Sequence, residues 1–277
     1  MATLMPLALL WGCVGREGPE DRESSDLTVA EMEQWEEPGG RWHRDSGALT
    51  DGQLAEIERL ESIGYLSGSS APPYVSGVTI HDSARTWEGL NLYTSGDLAG
   101  AVLMDMRGRV LHMWRYPFID AWRAGPRGEL PKSSKASGFW RRAYLFENGD
   151  ILAVFDGHGL IKIDRDSNLI WARFGGFHHD LDVIEDGRIY VLLREAQIVP
   201  RINPEHPILE EFIVVLDSEG NELKRVSQLE AIENSQFASL LDGMADRGDI
   251  FHTNTIEVLD GRLAARLPAF RKGTVLI

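Results

Sequence analysis

The chain has 277 residues, of which 43% are hydrophobic and 26% charged, so its composition is that of a globular protein and excludes a wholly disordered one. Its formal net charge is −15, and because nucleic-acid binding needs clustered Lys and Arg against phosphates, this charge argues against a nucleic-acid partner. The single cysteine, Cys13, excludes an internal disulfide.

The N-terminal segment is mostly apolar and ends at Cys13. Residues 4–11 form the apolar run, and Gly12 places a small residue just before the cysteine, as in the lipobox of a bacterial lipoprotein. The run is too short to span a bilayer as a helix and lacks the charged region of a secretory signal, so a chance cysteine is the alternative. We predict a lipoprotein signal over residues 1–13, lipidation of Cys13, a periplasmic or cell-envelope location, and membrane contact through the lipid anchor alone.

Residues 14–75 are predicted to form a linker that carries one helix. The first part is rich in Glu, Gly, Ser and Asp and shows no sustained periodicity. Thr50 or Asp51 can cap a helix over about residues 51–63, in which apolar residues recur at helical spacing. This helix is either a packing element or a stalk.

Residues 76–277 change character, because short β-rich runs alternate with Gly and Asp turns. One hairpin type has a polar-Gly turn between apolar strands, and it recurs at residues 144–154, 182–192 and 256–263. A second type turns on Asp and is found at residues 102–111, 160–171 and 214–223. Asn-Gly and Asp-Gly supply the positive φ that tight hairpins demand, and the Asp side chain can cap backbone N–H groups in the second type.

Two such hairpins make a four-stranded sheet, which is one blade of a β-propeller. An ordinary antiparallel sandwich is the alternative, but two hairpin types that alternate in fixed order favour the propeller. We therefore predict an all-β fold, with an incomplete β-propeller of about three to four blades over residues 76–277 and a short helical or irregular N-terminal extension. Because an open ring exposes strand edges, further blades or a partner are expected to close it.

Two histidine motifs precede successive hairpins at nearly the same offset. His178-His179-Asp180 lies before the second polar-Gly hairpin, and His252-Thr253-Asn254 lies before the third. Equivalent offsets are expected to put both motifs on one rim, facing the central channel, where an imidazole can act as a base or as a nucleophile. The alternative is that these histidines tie neighbouring blades together by hydrogen bonds.

A metal site is not expected. Two adjacent histidines and an aspartate could form one with His252, but no His-x-His or His-x₃-His spacing is present. A Gly-rich phosphate loop, a Gly-x-Ser-x-Gly elbow and the kinase signatures are also missing from the sequence. We therefore predict neither a metal nor a cofactor.

The repeat and the two histidine motifs resemble the bacterial arylsulfotransferase family, whose enzymes move a sulfo group directly from one phenol to another. The resemblance extends over about residues 76–277 and rests on residues 89–93, 101–105, Trp114, 178–183 and 252–256. It implies a six-bladed propeller exported to the periplasm, with small aryl sulfates and phenols as the partners.

The resemblance also implies a mechanism and roles for single residues. A histidine nitrogen takes the sulfo group from an aryl sulfate, releases a phenol and passes the group to an acceptor phenol. His252 and His179 are the catalytic candidates, with His252 as a sulfate-binding or acid–base group. The substrate-binding candidates are His178, Asp180, which could fix the tautomer of His179, and Asn254, which could orient the loop of His252.

Two residues of the family pattern are not found in this sequence. The family's active-site arginine and its nucleophilic histidine are expected after His252, beyond Ile277, so these 277 residues are expected to be catalytically incomplete. The alternative hypothesis is a non-catalytic propeller lipoprotein that binds a ligand or another protein. The oligomeric state is not predicted.

Overall fold

The computed structural model describes residues 49–62, 77–96, 98–124 and 138–277. The predicted signal over residues 1–13, the lipidation site Cys13 and most of the predicted linker lie outside the described residues. Among the helices of the described part, none is long and apolar enough to cross a membrane.

The described part is mostly β-sheet, as predicted. The strands are β1 (Leu90–Ser95), β2 (Leu98–Asp105), β3 (Val110–Arg115), β4 (Arg142–Leu145), β5 (Ile151–Phe155), β6 (Gly159–Ile163), β7 (Leu169–Phe174), β8 (Phe177–Val183), β9 (Ile189–Val199), β10 (Asn203–Leu216), β11 (Glu222–Ser227), β12 (Gly248–Asp249), β13 (Glu257–Val258) and β14 (Val275–Leu276). The α-helices are α1 (Asp51–Glu61), α2 (Phe118–Ala124) and α3 (Gln228–Glu233).

The strands form several antiparallel sheets in which neighbours in sequence are neighbours in space. The orders are β1-β2-β3, then β4-β5-β6-β7, then β8-β9-β10-β11, and finally β13-β14, while β12 pairs with β10 in parallel. The all-β class is therefore confirmed. The two middle sheets each consist of the two predicted hairpin types in the predicted order.

The Asp turns are built alike in the first three sheets. The Oδ1 atoms of Asp105, Asp164 and Asp217 each accept the backbone N–H groups two and four residues further on, at 2.7 to 3.0 Å. These hydrogen bonds satisfy donors that the turn leaves outside the strand ladder. The predicted capping role of the three aspartates is confirmed.

The third polar-Gly hairpin is different from its prediction. Strand β13 does not pair with the residues just after Gly261; it pairs with β14, so that Val258 lies opposite Val275. Residues 261–266 instead form turns closed by local bonds, such as Arg266 N–H to Leu263 O at 2.9 Å. The intervening segment contains no β-branched residue before Thr274, whereas such residues favour the returning strand.

The sheet β4–β7 is buried on both faces, and β5 shows how. Ile151, Ala153 and Phe155 pack in a cluster with Trp114 of the first sheet, whereas the alternate residues of β5, Leu152 and Val154, pack in a cluster with the third sheet. Successive side chains of a strand point to opposite faces, so a strand apolar at every position packs between two layers. The first three sheets therefore pack face to face in chain order.

Helix α1 is a packing element rather than a stalk. Thr50 and Gln53 form its capping box, in which the Thr50 N–H donates to Gln53 Oε1 at 2.9 Å. Leu60 is only 2% exposed and packs with Ala196 of β9 and Leu209 of β10. The helix therefore lies against the third sheet.

Candidate functional site

His179 lies in a bulge of β8. His178 pairs with Leu192 of β9, but the next paired residue, Leu181, lies opposite Val191, so His179 and Asp180 have no counterpart across the ladder. His179 has a φ of 50°, in the left-handed region. Bulges of this kind re-aim side chains and are common beside active sites.

His252 repeats this conformation in the loop between β12 and β13. Its φ is 53°, and its ring centroid lies 6.4 Å from that of His179. Left-handed backbone is uncommon outside glycine, although histidine adopts it more readily than bulky residues do. The structure thus brings together the two histidines that the sequence analysis selected as catalytic candidates.

An Asp–His pair orients His252. Its Nδ1 lies 2.6 Å from Asp249 Oδ2, and its backbone N–H donates to Asp249 Oδ1 at 3.1 Å. Asn254 Nδ2 donates to the carbonyl of His252 at 2.8 Å, which agrees with the predicted orienting role of Asn254. Because an ionised carboxylate only accepts hydrogen bonds, Nδ1 carries the proton and Nε2 is the reactive nitrogen of a side chain that is 54% exposed.

His178 lies beneath His179 and is buried. Its Nδ1 is 2.8 Å from His179 Nδ1, and its Nε2 is 2.8 Å from Glu211 Oε2. Burial is the main cause that lowers the pKa of His178 to about 3 and the pKa of His179 to about 4, so both rings are neutral at pH 7. Burial likewise raises the pKa of Glu211 to about 8.

Two further charged residues complete this buried layer. Asp156 follows β5, and its Oδ1 accepts the His179 backbone N–H at 3.4 Å and lies 3.9 Å from His179 Nδ1. Arg194 of β9 lies opposite Glu211 of β10 in the strand register. Contrary to what histidine spacing suggested, the structure contains a group with metal-ligand chemistry, because one donor atom from each of Asp156, His178 and His179 lies within 4.8 Å of the others.

Asp180 connects strands. One carboxylate oxygen lies 2.9 Å from Arg142 Nε in β4, and the other accepts the Thr255 hydroxyl at 2.9 Å and the Ile256 N–H at 3.2 Å. Asp180 was predicted to fix the His179 tautomer. The carboxylate oxygen that lies 3.9 Å from His179 Nδ1 belongs instead to Asp156. The contacts of Asp180 match the alternative in which this motif ties neighbouring sheets together.

The sequence analysis missed four of these residues. Three of them share a signal, a charged residue inside or just after an apolar strand, as in the run Ile208-Leu209-Glu210-Glu211-Phe212, where two acids interrupt a buried strand; Asp249, in the short strand β12, lacks it. Charged residues are rarely buried unless they are paired, so such an interruption indicates a partner across the fold. The missed residues are Asp156, Arg194, Glu211 and Asp249.

Comparison of the sequence with models of known protein families gives no match, and comparison with curated proteins gives none either.

Proposed function

We propose that this protein is an arylsulfotransferase-like component of an exported β-propeller, and that it binds the sulfo group of an aryl sulfate between His252 and His179. The propeller is supported by meander sheets that follow one another in the chain and pack face to face. It is also supported by a hydrogen bond between two sheets. The backbone N–H of Val258 in β13 donates to the Asp182 carboxylate of β8 at 2.8 Å, and these are the first strands of their sheets in chain order.

The observation that carries the proposal is the Asp249–His252 pair beside His179. Asp249 holds Nδ1 of His252, so Nε2 is directed away from it and can meet a ligand. With ring centroids 6.4 Å apart, the His179 ring and a protonated His252 ring can donate to different oxygens of one tetrahedral anion. A protonated His252 would also donate its proton to the leaving phenolate, and the Asp249 carboxylate would stabilise the imidazolium beforehand.

Two guanidinium groups near the rings can attract an anionic ligand, against the opposing charges of Asp156 and Asp249. Burial is the largest cause of the low pKa of His178, and the charges of Arg194 and Arg141 lower it further. Both guanidinium groups are therefore close enough to act on the histidines. Arg194 is buried, so its field is screened less than that of a surface cation. Fixed cations close to the site suit the charge that spreads over sulfate oxygens during transfer.

Binding is the direct test, because it does not require every residue of the transfer reaction. Isothermal titration of the 277-residue protein with 4-nitrophenyl sulfate is expected to detect a complex, and His252→Ala is expected to weaken it at least about tenfold. His81→Ala is the matched control, since His81 bonds to the Met106 carbonyl on the first sheet. The proposal is contradicted if the wild type does not bind 4-nitrophenyl sulfate, or if His252→Ala binds it as tightly as the wild type does.

A second candidate, a non-catalytic binding module, is favoured by the contacts of Asp180. The Asp180 carboxylate is bonded to Arg142, Thr255 and Ile256. These bonds hold neighbouring strands together and leave the carboxylate no part in catalysis. An assay of sulfo transfer from 4-nitrophenyl sulfate to phenol, monitored through the release of 4-nitrophenolate, separates the two candidates when it is done on a chain that also carries the arginine and the histidine that the family pattern places after His252. The binding module predicts no release there, whereas the enzyme predicts release that depends on His252.

A further inference from the structure

A buried donor set lies directly under the His252–His179 pair. Asp156 is 3% exposed, His178 0% and His179 8%, and they come from the turn after β5 and from the bulge of β8. One ligand atom from each lies within 4.8 Å of the other two. This cluster has no part in the binding of the aryl sulfate proposed above except through the opposite side of the His179 ring.

The two adjacent histidines require a proton or a metal ion between their Nδ1 atoms. Their Nδ1 atoms are 2.8 Å apart, which is hydrogen-bond distance. Two lone pairs at that separation repel each other, so either a proton or a metal ion lies between them. The residues around the two rings indicate whether a proton or a metal ion fits this position better.

We propose that Asp156, His178 and His179 bind a divalent transition-metal ion of the Zn²⁺ type through one carboxylate oxygen and the two Nδ1 atoms. Bonds of about 2.0–2.2 Å in tetrahedral geometry place donor atoms about 3.4 Å apart. The Nδ1–Nδ1 distance of 2.8 Å and the His179 Nδ1–Asp156 Oδ1 distance of 3.9 Å lie on either side of that value. Changes of about half an ångström in these two distances would bring them to the tetrahedral value, and the His178–Asp156 separation is within 4.8 Å.

Glu211 is placed where a ligating His178 needs an acceptor. When both Nδ1 atoms use their lone pairs on a metal, His178 must carry its proton on Nε2. That Nε2 lies 2.8 Å from Glu211 Oε2, but the two atoms are not aligned as a hydrogen bond, and neither has a hydrogen-bond partner among the described residues, so a small turn of either side chain would form the bond. A carboxylate behind a metal-bound histidine is the usual way in which proteins fix the tautomer and ring orientation of the ligand.

The charge of the layer also favours a cation. The carboxyl groups of Asp156 and Glu211 are both buried, and Arg194 is the buried guanidinium beside them. A buried carboxylate without a compensating cation is costly, and a divalent ion bound between the histidines offsets that cost for Asp156. Two imidazoles and one carboxylate leave at least one coordination position open, as in sites that bind an exogenous ligand.

Metal content is the test, and it does not depend on sulfo transfer. The 277-residue protein, purified without a histidine tag and stripped with EDTA, is loaded with Zn²⁺ or Co²⁺, desalted and analysed by plasma mass spectrometry. We expect about one ion per chain, with visible Co²⁺ bands of a low-coordinate nitrogen–oxygen site. Failure of the wild type to retain either ion overturns the proposal and leaves a shared proton between the rings.

Matched variants locate the ion. Asp156→Asn and His178→Gln are expected to weaken Co²⁺ binding more than about tenfold, and Glu211→Gln about tenfold through the orientation of His178. His206→Gln, which removes a histidine that pairs with Glu56 of α1, is expected to bind as the wild type does. Wild-type affinity in His178→Gln, or loss of binding in His206→Gln, contradicts the assignment.

A measurement on the wild type covers the case in which a buried variant fails to fold. Nitrogen NMR of the imidazoles is expected to show that Zn²⁺ shifts the Nδ1 resonances of His178 and His179 and that His178 carries its proton on Nε2. Resonances that do not change on addition of Zn²⁺ would overturn the proposal.

Discussion

His179 and His252 have the same left-handed backbone conformation, with φ values of 50° and 53°, and their ring centroids lie 6.4 Å apart. A side chain in this region costs about 1–2 kcal/mol relative to glycine. A strained histidine thus lies in the bulge of β8 and another in the loop before β13. The two strained histidines support the hypothesis of a functional site at this place.

The strain predicts that His252→Gly is more stable than His252→Ala. Glycine relieves the left-handed strain and alanine does not, and the His252 side chain is half-exposed, so its removal opens little buried space. We expect the glycine variant to unfold in urea with a free energy about 1 kcal/mol higher than that of the alanine variant. Both should bind 4-nitrophenyl sulfate equally poorly; equal stability of the two variants would mean that φ at this position is not strained.

Asp249→Asn is predicted to weaken aryl-sulfate binding without unfolding the protein. The amide keeps an oxygen for the His252 backbone N–H but loses the charge that holds the ring N–H. We expect about a tenfold loss of affinity, unchanged urea unfolding, and a mixed His252 tautomer by NMR. A purely structural Asp249 would instead lower stability and leave the tautomer as it is.

Asp180→Asn is predicted to loosen the junction between β8 and the start of β13. The variant loses charge-assisted bonds to Arg142 and to the Ile256 N–H, at an expected cost of about 1–3 kcal/mol of unfolding free energy. Hydrogen exchange at the Ile256 amide should become faster. Asp186→Asn, in an exposed hairpin turn where Asp186 pairs with Arg188, is the control and should change stability little.

Asp164 is predicted to make the second sheet sensitive to acid. Hydrogen bonds from the Asn168 side chain and from backbone N–H groups lower the pKa of Asp164 below its ordinary value of 3.8. Because the folded-state pKa is the lower one, this stabilisation is present above pH 3.8 and is lost as the pH falls through the folded value.

The expected measurement is the urea midpoint of the wild type and of Asp164→Asn over a series of pH values. The variant should be less stable near pH 7, and the difference should shrink as the pH is lowered below the unfolded pKa. Asp166→Asn, in the same turn, controls for the change in net charge. If the difference in stability between the wild type and Asp164→Asn does not depend on pH, the charge of Asp164 does not contribute to stability.

Local sequence rules predicted much of the fold. The Asp turns at Asp105, Asp164 and Asp217 and the capping box of Thr50 could be identified because their hydrogen bonds join residues two to four positions apart. The third polar-Gly hairpin was wrong for the complementary reason. The partner of β13 is β14, which lies beyond a segment of turns, and no local rule identifies a strand that returns after an insertion.

The sequence by itself determined the strand order of the two middle sheets, the turn chemistry and the pair of histidine motifs, because each depends on spacing along the chain. Only the tertiary structure decided which carboxylate serves which histidine. Asp249 and Glu211, not Asp180, contact His252 and His178, and Asp156 lies beside His179. Asp249 lies only three residues before His252, but the Glu211–His178 and Asp156–His179 pairs join different strands and turns, and the bulge that re-aims His179 arises from the pairing of β8 with β9. Such contacts depend on how the sheets pack, which the spacing of residues does not encode.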